Sequence, residues 1–193
     1  NYSTVNKRAK NILKFWFLET SLEQKFIRND DFDKTIRDLF YNDYNKAASN
    51  VYDGWQDNAE DCLALIILLD QFSRNLFRND PKAFDQDYKA RLIANEGIDR
   101  GFLNELTPDQ IHFFLLPLIH SEDISDHVFC HKLLDTYLNK HKEFKRIKKS
   151  WNNHTDPIRK FGRYPHRNKV LKRKNTPAEH EYLNSTNYRF FNI

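Results

Sequence analysis

Glycine fills only four of the 193 positions and proline six. Tight hairpin turns depend on these two residues, so their scarcity excludes a hairpin-rich, strand-based architecture. Cysteine occurs twice, at Cys62 and Cys130, with no CxxC spacing. That excludes a disulfide framework and a zinc ribbon, and leaves two buried, reduced thiols in a cytoplasmic protein as the expectation. Long apolar runs are missing too. The longest, Leu63 to Leu69, is far short of the roughly 20 residues that span a bilayer, so no membrane association is expected.

What the chain does have is charge, at 30% of residues, and apolar positions recurring at helical spacing. A chain of this length can bury about 70% of its unfolded surface in one domain. The expectation is a single all-α domain over residues 1–193, with about seven or eight helices in antiparallel pairs joined by short connections. Lys7, Arg8, Lys10 and Lys14 precede the first acid, as in an import presequence. However, Ile12, Leu13, Phe15, Trp16 and Phe17 form an aromatic face suited to docking on a core, which predicts a mature first helix. A second helix starts near Asp30, Asp31 and Asp33, acids at its positive dipole end, and reaches about Ala48. Trp55 anchors the loop that follows, and Asn58 caps the next helix. Asp80-Pro81, Thr107-Pro108 and Thr176-Pro177-Ala178-Glu179 read as starts, the last with capping-box spacing. Gly97 and Gly101 read as punctuation at a helix end. Ser121 is the expected cap of the helix through Leu138, and Pro157 a point of disturbance in a helix from Glu143 to about Phe161.

Charge is uneven. Residues 141–174 hold thirteen Lys and Arg against Glu143 and Asp156, a net +11 in a chain of +4, so the remainder carries −7. With Trp151, Phe161 and Tyr164 interleaved, one reading is a nucleic-acid surface. The other is that this segment folds back on an acidic body. The absence of RGG repeats or a nucleic-acid fold motif favours the second, so no nucleic-acid partner is expected.

Three segments carry the polar chemistry. In Leu63 to Arg78 an apolar helix turns into a ladder, with Asp70, Arg74 and Arg78 at i, i+4 and i+8 and Gln71 and Asn75 on a neighbouring stripe. Exposed, it would be a weak ion-pair ladder. Partly buried, its guanidinium groups need carboxylates, from Glu122 and Asp123 or from an anionic ligand. The second segment is the corner His120-Ser121-Glu122-Asp123. The third is His154 to Asn168, in which Gly162 and Pro165 fix a turn bearing Arg163, His166, Arg167 and Asn168. His120 or His166 beside Glu122 or Asp123 would form an acid–base pair. Asp123, His127 and His131 have a spacing able to hold a metal, but surface histidines explain it better, so no metal site is expected.

The strings FWF at 15–17, LALIILLDQFSRNLFR at 63–78, FFLLPLIHSED at 113–123 and HTDPIRKFGRYPHRNKVL at 154–171 resemble the DUF924 family of bacterial proteins of unknown function. The resemblance implies a tetratricopeptide-like helical fold and supplies no activity, cofactor or partner. It carries Asp70, Gln71, Arg74, Asn75, Arg78, His120, Ser121, Glu122, Asp123, His154, Arg163, His166, Arg167 and Asn168 as a polar signature. One departure stands out: the family pattern has glycine where this chain has Lys172, placing a glycine-dependent turn in doubt. His127 and His131 lie outside the pattern.

The leading expectation is a helical binding protein whose three segments meet at one pocket, with Arg74, Arg78, Arg163 and Arg167 receiving the anionic group of a small molecule or peptide carboxylate. Asp70, Gln71, Asn75, His154 and Asn168 would complete it. Two alternatives stay open. One is an acid–base hydrolase or transferase using His120 or His166 with Glu122 or Asp123. The other is a helical scaffold in which these residues are structural. No cofactor is expected, and the oligomeric state is open.

Overall fold

A computed structural model describes residues 5–185; the outermost ends of the expected 1–193 domain lie outside the described residues. Within them every regular element is helical. Helix α1 (Lys7–Lys14) is capped by Asn6 and runs into a π-turn, Phe15–Glu19, closed by the Thr20 hydroxyl donating to the Phe15 carbonyl at 2.7 Å. The short α2 (Leu22–Phe26) starts at a Ser21–Gln24 capping box. Helix α3 (Asp30–Ala48) begins at Asn29 with the three acids in its first turn. A 3₁₀ turn, Asp53–Asp57, follows; Trp55 stacks on Tyr52 and packs against the core, as expected of an anchor.

Helix α4 (Ala59–Ile66), capped by Asn58, continues through a π-turn, Ile67–Phe72, into α5 (Ser73–Leu76). Every residue from Cys62 to Leu69 is at most 1% exposed. This rod is the centre of the core because its sequence is apolar on all sides and must be surrounded. Helix α1 packs on α4, and α3 on α5 and the π-turn. Helices α6 (Asp87–Asp99) and α7 (Pro108–Ile119) cover the rest of the rod. Helix α8 (Ile124–Tyr137) packs on α7, and α9 (Phe144–Phe161) on both. Helix α10 (Pro177–Asn184) closes the described chain after its Thr176–Glu179 capping box. With α4, π-turn and α5 taken as one rod, nine helices are formed among the described residues. No described helix is long and apolar enough to cross a membrane. Both cysteines are buried and free.

Several local expectations need correction. Asp80-Pro81 opens a 3₁₀ turn, Pro81–Phe84, and α6 proper begins only at Asp87. Gly97 lies inside α6; a Cβ there would meet the Phe114 ring at 2.6 Å, so glycine permits the close approach of α6 and α7. Asp123 caps α8, while Ser121 donates to Asp126 at 2.5 Å. Helix α9 passes Pro157 unbroken and ends at Gly162, which takes the left-handed conformation at φ +71°. Finally, the ladder is not one stripe. A π-turn adds a residue to the helical register, and the helix ends at Leu76, leaving Arg78 beyond it.

Candidate functional site

Asp70 sits in the π-turn, fully buried. One carboxylate oxygen meets the His120 Nδ1 at 2.8 Å and the other accepts from Gln71 at 2.9 Å. Burial by itself would favour the protonated acid, but His120, Arg74 and the hydrogen bonds outweigh it and hold Asp70 below the usual carboxylate range. An ionised Asp70 fixes His120 with Nδ1–H donating and Nε2 bearing the lone pair. Burial pushes His120 below an ordinary histidine, against the pull of Asp70, so the ring stays neutral.

Arg74 extends this cluster. It donates to the Asp70 carbonyl at 2.8 Å and grips Asp87 of α6 with two bonds of 2.9 Å. Asp87 also lies 3.8 Å from the Arg167 guanidinium, which donates to the His120 carbonyl at 2.9 Å. Arg167 is buried between the rings of Phe84 and Tyr164, each 4.6 Å away. Two buried arginines are thus balanced by Asp70 and Asp87, and the corner residue His120 is held from both sides. The three polar segments do meet, at His120.

They do not all face the same space. A cavity of about 230 Å³ opens beside His120, lined by Gln71, Arg74, Asn75, Arg78 and His154 from the expected set. Arg78 and Asn75 both bind Asp33 of α3, at 2.9 and 2.8 Å. Burial pushes His154 down to about 3, against the pull of the Ser150 carbonyl 2.8 Å from its Nδ1. Arg163, Arg167, Asn168, Glu122, Asp123 and His166 do not line this cavity. Arg163 pairs with Glu179 through two bonds of 2.8 Å, and Asn168 reaches the same carboxylate at 3.2 Å. Glu122 receives Arg173 at 2.7 Å and the Tyr164 amide at 2.6 Å, which hold it below its usual range despite burial. Asp123 is an exposed helix cap. His166 lies in the 3₁₀ turn Pro165–Arg167, where burial, then Arg167, push it to about 2.

His127 and His131 converge on the Thr155 hydroxyl, each at 2.9 Å, and His127 also bonds the Ser121 carbonyl at 2.7 Å. Among the described residues no group of three or more His, Cys, Asp or Glu could hold a metal ion. This pair ties α8 to α9.

A family described as bacterial protein of unknown function, DUF924, matches residues 12–187. The chain belongs to this family. The solved structure of ATU0120, a protein of unknown function from Agrobacterium tumefaciens, is similar to it at 35% identity with a TM-score of 0.82, covering 92% of this chain and 97% of that one. No curated protein matches.

For this DUF924 chain the cavity holds residues that sequence reasoning passed over. Lys25, His112 and Arg146 line it together with Phe26 and Trp151. Lys25 lies 5.4 to 5.7 Å from the rings of Trp16, Phe17 and Phe113, and burial lowers its ammonium below the lysine norm. Among the described residues it forms no ion pair within 4 Å. His112, buried against Phe26 and Trp151, is pushed to about 3. Asp33 was legible only as a helix-start acid, and nothing in the spacing of Asp33 or Asp87 announces Arg78 or Arg74 as its partner. Among the described residues, the lining contains four cations, Lys25, Arg74, Arg78 and Arg146, and no carboxylate. Parts of the basic segment do fold back, as Lys148–Asp135 and His141–Asp109 pairs show at 3.2 and 2.6 Å.

Proposed function

We propose that this protein performs acid–base chemistry, hydrolysis or group transfer, on a small anionic substrate bound in the cavity, with His120 as general base and Asp70 as its orienting carboxylate. The observation that carries this reading is the 2.8 Å Asp70–His120 contact at a cation-lined cavity. A buried carboxylate that fixes the tautomer of a neutral imidazole is the arrangement a general base requires. Arg74, Arg78, Lys25 and Arg146 supply positive potential toward the substrate, and the Arg167 bond to the His120 carbonyl keeps the ring in place. Relative to the pairing expected from sequence, the orienting acid is Asp70 in place of Glu122 or Asp123.

The test is a hydrolase and transferase screen on anionic esters, amides and phosphate monoesters. His120→Asn is expected to abolish whatever activity appears. Asp70→Asn, which leaves the ring free to take the wrong tautomer, is expected to lower kcat by about 10²- to 10⁴-fold. Activity unchanged in a folded His120→Asn variant would refute the assignment.

A second reading, binding without chemistry, is favoured by a specific observation: Arg74 and Arg78 already hold Asp87 and Asp33. Under it an anion binds at Lys25 and Arg146, and His120→Asn changes affinity modestly while no substrate class is turned over.

A further inference from the structure

The cavity at His120 does not end at Lys25. A second depression of about 400 Å³ shares Lys25, His112 and Arg146 with it, so these three side chains form a saddle between two chambers. The two sides differ in chemistry. The inner chamber presents His120, Gln71 and the arginines over Trp151 and Ile147. The outer one is walled by Phe17, Leu18, Leu22 and Phe113, with Asp109 and Glu143 on its lining.

The cations of the inner chamber are also of two kinds. Arg74 and Arg78 are nearly buried and each is matched to a carboxylate at 2.9 Å. At the saddle, Lys25 is half-buried over aromatic rings with no ion pair within 4 Å among the described residues, Asp109 acting on it only through space, and Arg146 pairs with Glu143 at 2.8 Å on its solvent side. An ammonium partly removed from water and without a contact ion pair attracts an anion more strongly than a buried guanidinium already gripped by a carboxylate. The anion seat therefore lies at the saddle. The outer chamber cannot be that seat, because Asp109 and Glu143 line it. Its leucines are instead left facing solvent, Leu18 at 79% and Leu22 at 54% exposure, beside two aromatic rings.

From this we infer that the substrate is an elongated amphiphile: its reacting end lies at His120, its anionic group at the Lys25–Arg146 saddle, and its apolar tail in the chamber of Phe17, Leu18, Leu22 and Phe113. The inference rests on the acid–base reading for the reacting end, while the anion seat and tail chamber stand on their own geometry. A tail of several methylenes covers the exposed leucines, and the charge complementarity of the saddle sets its direction.

The experiment is titration calorimetry on the full chain carrying His120→Asn, which prevents turnover, with two probe series: n-alkyl phosphates and n-alkyl carboxylates, from two to eight carbons. At least one series is expected to bind, with Kd tightening about fourfold per added methylene until the chamber is filled. The pair Leu18→Ser and Leu22→Ser, both at exposed positions, is expected to flatten that dependence and leave the two-carbon probe unchanged. Lys25→Gln is expected to weaken every member tenfold or more. Affinity independent of chain length, dependence that survives the leucine changes, or no binding by either series at millimolar concentration would overturn the inference. Binding with the expected profile by a protein whose unmodified form turns over nothing would remove the catalytic reading and keep the amphiphile; a flat profile in an active enzyme would do the reverse.

Discussion

Two arginine clusters lie close in this fold, and they use the same side chains for opposite ends. Around His120, buried Arg74 and Arg167 lie with buried Asp70 and half-buried Asp87, and Arg74 lines a cavity. Around Tyr164, Arg163 and Arg173 pair with Glu179 and Glu122, closing the turn after α9 onto α10 and the His120 corner. The second cluster is a staple: its carboxylates receive every donor directed at them from backbone and side chain. The first differs in that Arg74 also lines the cavity, where no carboxylate reaches the lining among the described residues. In a string of letters the two are alike. What separates them is that the cavity beside His120 is lined by Arg74 and by neither Arg163 nor Arg173.

The largest effect expected from this difference is acid unfolding. His112, His127, His154 and His166 are pushed to about 3, 4, 3 and 2, each chiefly by burial. With folded values below the unfolded histidine value of about 6.5, they contribute stability that is complete above that pH. That stability is lost as pH falls, at about 1.4 kcal/mol per pH unit for each group. Protonation of Asp70 and Glu122, both held low, removes further stability in the same direction below about pH 4. By pH 4 four such histidines would remove on the order of 10 kcal/mol, comparable to a typical stability of roughly 5–15 kcal/mol. Far-UV circular dichroism across pH 7.5 to 3.5 should show cooperative loss of helix between pH 5 and 4. Helix retained at pH 3.5 would mean these rings find proton acceptors in the fold.

A smaller and more local contrast comes from removing one acid from each cluster. Asp87→Ala strips Arg74 of its bidentate partner and leaves Arg167, with its Nε already lacking a hydrogen-bond partner, further from balance. Arg74 is then left with Asp70 at 3.7 Å and Arg167 with the through-space pull of Glu122, a loss of about 3–5 kcal/mol. Glu179→Ala removes a capping-box member and the partner of a solvent-side arginine, for about 1–2 kcal/mol. Urea titration of both variants measures the ratio. Equal losses would erase the distinction between the clusters.

Legibility followed the range of the physics involved. The helix start at Thr107, the capping box at Thr176, the cap at Asn58 and the end of α3 at Ala48 were readable, because each is set by residues within four positions. The buried rod was readable because an unbroken apolar helix has to be surrounded. The meeting of the three polar segments was anticipated, although the division between cavity wall and staple was not. Asp70–His120 spans 50 residues and Arg78–Asp33 spans 45, and no local pattern encodes such a pairing. The π-turn defeated the stripe argument, since one added residue rotates every side chain after it. Lys25 and Arg146 went unnoticed for another reason: in a chain with 31 Lys and Arg, a cation that faces a cavity is visible only once its neighbours are known.

The smallest expected effect concerns the staple's own backbone. Lys172 stands where the family pattern has glycine, and it nonetheless takes the left-handed conformation, at φ +56°. The turn is held by the residues around it: the Arg173 amide donates to the Asn168 carbonyl at 2.8 Å, and the Arg173 side chain reaches Asn168 and Glu122. A side chain in that conformation carries a steric penalty of about 1–2 kcal/mol, which glycine would relieve. Glycine also gains freedom in the unfolded chain, offsetting about half of it. Lys172→Gly should therefore stabilise by about 0.5–1 kcal/mol and raise Tm by a few degrees, with binding in the cavity unchanged because Lys172 does not line it. A drop in Tm would show that the exposed lysine contributes contacts worth more than its strain.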